Sequence, residues 1–90
     1  MGWKYFGRTA GSGRVFQVFR WPDNGKVLME QSPGDVQYMS KSGEWNAGLH
    51  DALVKELLTG WFDEKSDRLS EEEAMALIDS WRKGKWPSRL

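Results

Sequence analysis

Between Arg14 and Pro22 the chain reads RVFQVFRWP, its longest run rich in β-branched and aromatic residues, and such a run favours a strand. On a strand, successive side chains face opposite ways. Val15, Gln17, Phe19 and Trp21 therefore share one side, and Arg14, Phe16, Val18 and Arg20 the other. Both sides carry apolar groups, which places the strand inside a sheet, yet 90 residues supply few elements with which to cover two sheet faces. One face is thus a candidate for a partner.

The flanking sequence supplies the rest of the sheet. WKYFGR, residues 3 to 8, alternates as a strand does, and TAGSG, residues 9 to 13, reads as a hairpin loop. Pairing Arg8 with Arg14 across that loop sets Phe6 opposite Phe16 and Tyr5 opposite Gln17. Pro22-Asp23-Asn24-Gly25 is a strong turn signal, because proline presets φ, Asp and Asn favour turns, and glycine accepts positive φ. A third strand over residues 26–31, a turn at Ser32-Pro33-Gly34-Asp35 and a fourth strand over 36–40 follow, with Val36 and Tyr38 facing one way and Met39 the other. Links this short allow only an antiparallel meander.

After Lys41-Ser42-Gly43-Glu44 the period changes to that of a helix. With Asn46 as N-cap, Leu49, Leu53, Leu57 and Trp61 recur every four residues, which predicts a helix over 48–59 ending near Gly60. Ser70 and Glu73 form the S-x-x-E capping box, Glu71 and Glu72 suit the positive end of the helix dipole, and Ala74, Leu77, Ile78 and Trp81 make one apolar stripe. Lys85-Trp86-Pro87 ends that second helix, and Trp86 is expected to fold back. The expected architecture is a single α+β domain over residues 1–90: a three-to-four-stranded antiparallel meander with two helices packed on one sheet face. The expected core is Trp3, Tyr5, Val15, Phe19, Trp21, Leu28, Leu53, Leu57, Trp61, Leu77, Ile78 and Trp81.

Charge and cysteine content narrow the function classes. Lys plus Arg equals Asp plus Glu at 13 each, so no global field concentrates nucleic acid or anionic membrane around the chain. The balance is uneven locally. Residues 63–73 hold six acids against Lys65 and Arg68, whereas residues 82–90 hold Arg82, Lys83, Lys85 and Arg89 with no acid. Cysteine is absent, which removes disulfides, thiolate metal sites and cysteine nucleophiles. No run approaches the roughly 20 apolar residues of a membrane span, and MGWKYFGR lacks the apolar core of a secretory signal. The expectation is a cytoplasmic protein without metal, cofactor or membrane partner.

The residues that could carry chemistry do not converge. His50 is the lone histidine, and Asp51 beside it does not share its face on a helix, so a rim position explains it better than catalysis. The acidic stretch from Asp63 to Glu73 fails as a calcium loop: in the register starting at Asp63, Lys65, Arg68 and Ala74 occupy positions 3, 6 and 12. The glycines match no phosphate-binding pattern and the serines no nucleophile elbow. A carboxylate-only site within Asp63 to Glu73 is the one catalytic alternative left, and the expectation is a non-enzymatic protein.

In the expected register Lys4, Phe6 and Arg8 lie beside Arg14, Phe16, Val18 and Arg20, giving a basic, aromatic face. The opposite face, with Trp3, Tyr5, Val15, Phe19 and Trp21, is more apolar and is the one the helices should cover. Lys4, Phe6, Arg8, Arg14, Phe16 and Arg20 are therefore the candidate partner-binding residues. A protein partner, either another protein or a second copy, would use this face or a sheet edge. The alternative is single-stranded nucleic acid stacked on the rings with phosphates on the cations. In layout the chain resembles small uncharacterised bacterial proteins with an aromatic β-meander followed by a capped helix, a resemblance that implies no activity.

Overall fold

In the computed structural model, which describes residues 2–87, the first hairpin joins β1 (Trp3–Thr9) to β2 (Val15–Pro22). β3 (Gln37–Met39) pairs with β2, β4 (Trp45–Asn46) with β3, and β5 (Arg68–Leu69) with the other side of β1, every pairing antiparallel. The order is β4-β3-β2-β1-β5, with the RVFQVFRWP strand in the centre. α1 (His50–Thr59) carries the chain from β4 to β5, and α2 (Glu71–Lys83) follows. The class is α+β, with five strands where three to four were expected.

The helices pack on opposite faces of the sheet rather than on one. Phe6, Phe19 and Trp21 form a core with Leu28, Val36, Leu49, Leu53 and Phe62. Tyr5, Val18 and Met39 form a second core with Ala74, Ile78 and Trp81 of α2. Tyr5 and Phe6 are consecutive on one strand, so the two clusters lie on its two sides. Leu53 brings α1 to the first face.

A β-bulge at Phe16 decides this. Next to the loop Thr9 pairs with Val15, but the next pair is Arg8 with Gln17, which leaves Phe16 as an extra residue. Beyond the bulge Phe6 pairs with Phe19 and Tyr5 with Arg20. The expected pairing set even-numbered residues opposite even-numbered ones, and one inserted residue sets them opposite odd ones. Since side chains alternate with period two, that single residue moves Phe6 to the side of Phe19 and Trp21 and leaves Arg20 on the other.

The expected strand over 26–31 is replaced by two short 3-10 turns, Leu28–Glu30 and Pro33–Asp35. Its backbone groups are spent locally. The buried Gln31 amide donates to the Asn24 side chain and to the Lys26 carbonyl, both at 2.9 Å, while the Lys26 N–H donates to Asn24 Oδ1. Leu28 plugs the first core, and Val27 and Met29 on either side of it are exposed. The strand expected over 36–40 appears as β3, with Tyr38 and Val36 toward α1 and Met39 toward α2, as the alternation requires.

Asn46 belongs to β4 and caps nothing; α1 starts after Leu49 without a side-chain cap. Its C-terminus is a Schellman motif: Gly60 takes φ +84°, its N–H reaches the Leu57 carbonyl, and the Trp61 N–H donates to the Glu56 carbonyl at 2.8 Å. The left-handed turn throws Trp61 outward, 63% exposed, and brings Phe62 inward, 3% exposed. Phe62 therefore takes the core position the helical spacing assigned to Trp61. Its ring stands edge-on to Phe6, Phe19 and Trp21 at 5.7, 5.3 and 6.2 Å, while Phe6 stacks on Trp21 at 4.1 Å.

α2 begins at the expected capping box: the Glu73 N–H donates to Ser70 Oγ and the Ser70 N–H to Glu73 Oε1, each at 3.0 Å. Trp86 folds back, its ring 5.5 Å from that of Trp81. Of the remaining expected core, Trp3, Val15, Leu57 and Leu77 are half-buried, whereas Val18, Val36, Leu49 and Ala74 join the buried set. Arg89 of the basic C-terminal stretch lies outside the described residues.

Candidate protein-interaction surface

The six candidate residues do not share one face. Phe6 is 1% exposed beneath α1, with the Arg68 guanidinium 5.7 Å over its ring, because the bulge turns it into the core. Arg8 lies on the same side and is already occupied. Its guanidinium pairs bidentately with the Glu56 carboxylate of α1, its Nη1 donates to Gln17 Oε1 at 3.1 Å, and its carbon sits 5.3 Å from the Phe16 ring. Lys4, also on this side, approaches Asp23 at 3.9 Å. Arg14 lies just before β2 at the hairpin end and, with Val15, Leu77, Trp81, Lys85, Trp86 and Pro87, lines a cavity of about 420 Å³. Phe16 occupies the bulge. The basic aromatic face expected from the sequence is therefore dismantled: one side is sheathed by α1, and Arg20 stands on the other.

Around Arg20 a different arrangement forms. α2 lies across β5, β1 and β2, and near β3 and β4 the residues Trp3, Arg20, Gln37 and Trp45 are only half-buried. The Arg20 guanidinium is sandwiched between the Trp3 and Trp45 rings, 3.9 Å from each centroid. Its Nε and Nη2 donate to Gln37 Oε1 at 3.0 and 2.8 Å, as their cross-strand pairing allows. Tyr5 extends the patch, 6.0 Å from Trp45, with its hydroxyl 3.4 Å from Glu71 Oε1. Each cation-π contact contributes about 0.5 to 2 kcal/mol, more as water is excluded. Three strand residues, Trp3, Gln37 and Trp45, thus hold a guanidinium in place before anything binds.

Of this arrangement the sequence predicts Arg20 in its strand but on the other face, and Trp45, just before the expected N-cap Asn46, falls outside the expected sheet. The signal for Trp45 was present. Lys41-Ser42-Gly43-Glu44 is a turn that could return the chain as a hairpin, and it does so, with Gly43 at φ +86° and the Ser40 N–H donating to the Glu44 carbonyl at 2.9 Å. Position 3 was legible as strand, but its nearness to Arg20 follows only from the bulged register.

His50 is more covered than its expected rim position implies, with 15% of its side chain exposed, Nδ1 3.5 Å from Asp51 Oδ1 and Nε2 buried without a partner among the described residues. In the acidic loop Asp63 accepts hydrogen bonds from the Lys65 N–H and the Ser66 hydroxyl, which hold its pKa below the usual carboxylate value. Among the described residues no three His, Cys, Asp or Glu side chains are grouped to hold a metal ion, and no helix is long and apolar enough to cross a membrane. No family model matches the chain, and no curated protein or solved structure matches it.

Proposed function

We propose that this chain is a small non-enzymatic interaction module that binds a protein partner through the half-exposed surface of Trp3, Arg20 and Trp45. The observation that carries the reading is the sandwich itself: tryptophan and arginine are the side chains that dominate protein interfaces, and here they are in contact, partly open to solvent and fixed in advance. Preorganisation matters because immobilising a long side chain at an interface costs about 0.5 to 1.5 kcal/mol, most of which Arg20 has already lost on folding. The sheet edges are poorer candidates. β4 and β5 are two residues each, too short to template a partner strand.

Protein is favoured over nucleic acid by the dispersal of the cations. Lys4, Arg8 and Arg68 are on the α1 side, away from Arg20, and Arg8 is neutralised by Glu56. A phosphate backbone requires several cations along one track. A photo-crosslinking residue at position 22, which pairs with Trp3 and lies on the Arg20 side of β2, tests the reading in cells that make the protein. The expected result is a discrete protein adduct absent when the same probe stands at Glu72 on exposed α2. Adducts that are equal at the two positions, or that consist of nucleic acid, overturn it.

A further inference from the structure

Resting on that reading, we infer that Arg20 is a carboxylate receptor: the partner segment that docks here presents an acidic side chain to the Arg20 guanidinium, with apolar groups beside it on the Trp3 and Trp45 rings. The guanidinium is held by neutral groups alone. Gln37 accepts from Nε and Nη2, and two indoles cover its faces. No carboxylate lies within 4 Å of it among the described residues, whereas Arg8 on the opposite face meets Glu56. A partly buried cation without a counter-ion is an unfavourable arrangement that an incoming anion relieves.

The geometry also selects the anion. Two indole rings lie 3.9 Å from the guanidinium carbon and Gln37 Oε1 takes the Nε and Nη2 protons, so the approach left open is at Nη1. Nη1 has no partner among the described residues, yet it is not among the buried unpartnered atoms and so reaches solvent. An in-plane acceptor there is how a carboxylate meets arginine. A track of phosphates is disfavoured by the local charge, since Glu44 precedes Trp45 and Glu71 contacts Tyr5. Near the β3–β4 turn, Arg82 is turned to the Gly43 carbonyl, and Lys41 within the turn is exposed. The occupant is therefore an extended protein segment with a carboxylate flanked by apolar side chains.

The test uses the full chain labelled with nitrogen-15 and two capped peptides, one alternating Glu with Leu and one alternating Gln with Leu. Titration with the Glu peptide should move the Arg20 Nε–H and the Trp3 and Trp45 indole N–H resonances together, at an affinity at least about tenfold higher than for the Gln peptide. Added salt should weaken the response. Arg20→Met keeps an apolar stem between the rings and should abolish the difference between the peptides. Equal responses to both peptides, no response at these three resonances, or an unchanged preference in Arg20→Met overturns the inference. Should Arg20→Met lose its dispersed spectrum, the two-peptide comparison on the unaltered chain decides alone. A position-specific protein adduct at residue 22 together with equal peptide responses would leave the interaction module standing and remove only the carboxylate.

Discussion

Arg8 on β1 and Glu56 on α1 form a bidentate ion pair whose side chains are only 12% and 13% exposed, so the cation expected to face a partner instead fastens a helix to the sheet. Removing one member strands the other in a poorly hydrated site. Glu56→Ala should therefore cost about 2 to 4 kcal/mol, somewhat below the range for fully buried pairs because water still reaches both groups. Replacing both, Arg8→Met with Glu56→Leu, should cost less than Glu56→Ala alone. Urea unfolding of the three proteins checks the order.

Trp61 and Phe62 are adjacent and energetically opposite. Phe62→Ala opens a cavity under three aromatic rings and should cost about 3 to 5 kcal/mol, a large part of the stability of a domain this size. Trp61→Ala removes an exposed ring and should stay within about 0.5 kcal/mol. Thermal unfolding followed by circular dichroism separates the two, and a reversed order would place Trp61 in the core.

Gly60 permits that exchange of positions. A methyl group there meets nothing within 4 Å, so Gly60→Ala tests the backbone alone, and at φ +84° it should cost about 1 to 2 kcal/mol. Gly11→Ala in the first hairpin loop, equally uncrowded and without positive φ, should be neutral or slightly stabilising. Paired urea titrations give the contrast.

Acid should weaken the start of α2. The Ser70 backbone N–H and then its side chain hold the Glu73 carboxyl below its ordinary pKa, and the Lys65 N–H and Ser66 hydroxyl do the same for Asp63. A carboxyl with a folded-state pKa below its unfolded value adds stability that is full above the unfolded value. That stability is lost as pH falls through the folded one. The melting temperature should therefore fall on the acid side of the usual carboxylate range. Glu73→Gln, which keeps an acceptor for the Ser70 N–H but cannot titrate, should make the decline shallower.

How much was readable in advance depended on the distance over which each feature is set. Ser70 and Glu73 are three residues apart and satisfy each other's backbone, so the start of α2 is written in four consecutive residues. The strand 36–40 was legible because Val36, Tyr38 and Met39 alternate. Residues 26–31 were misread because their apolar content resembles a strand while the Asn24–Gln31 amide contacts close a loop. The cluster around Arg20 was least legible. It joins positions 3, 20 and 45, and Trp45 comes within reach of Arg20 only after two hairpins have closed.

Local sequence determined the aromatic strand at the centre of the sheet, its hairpin with β1, the capped second helix and the α+β class, because alternation, turn residues and capping pairs act over a few neighbours. Tertiary structure decided which side of the sheet each helix covers and on which sides Arg8 and Arg20 come to lie. The physical reason is one residue: the bulge at Phe16 changes the parity of the β1–β2 pairing, and parity, unlike propensity, is fixed only when two strands meet.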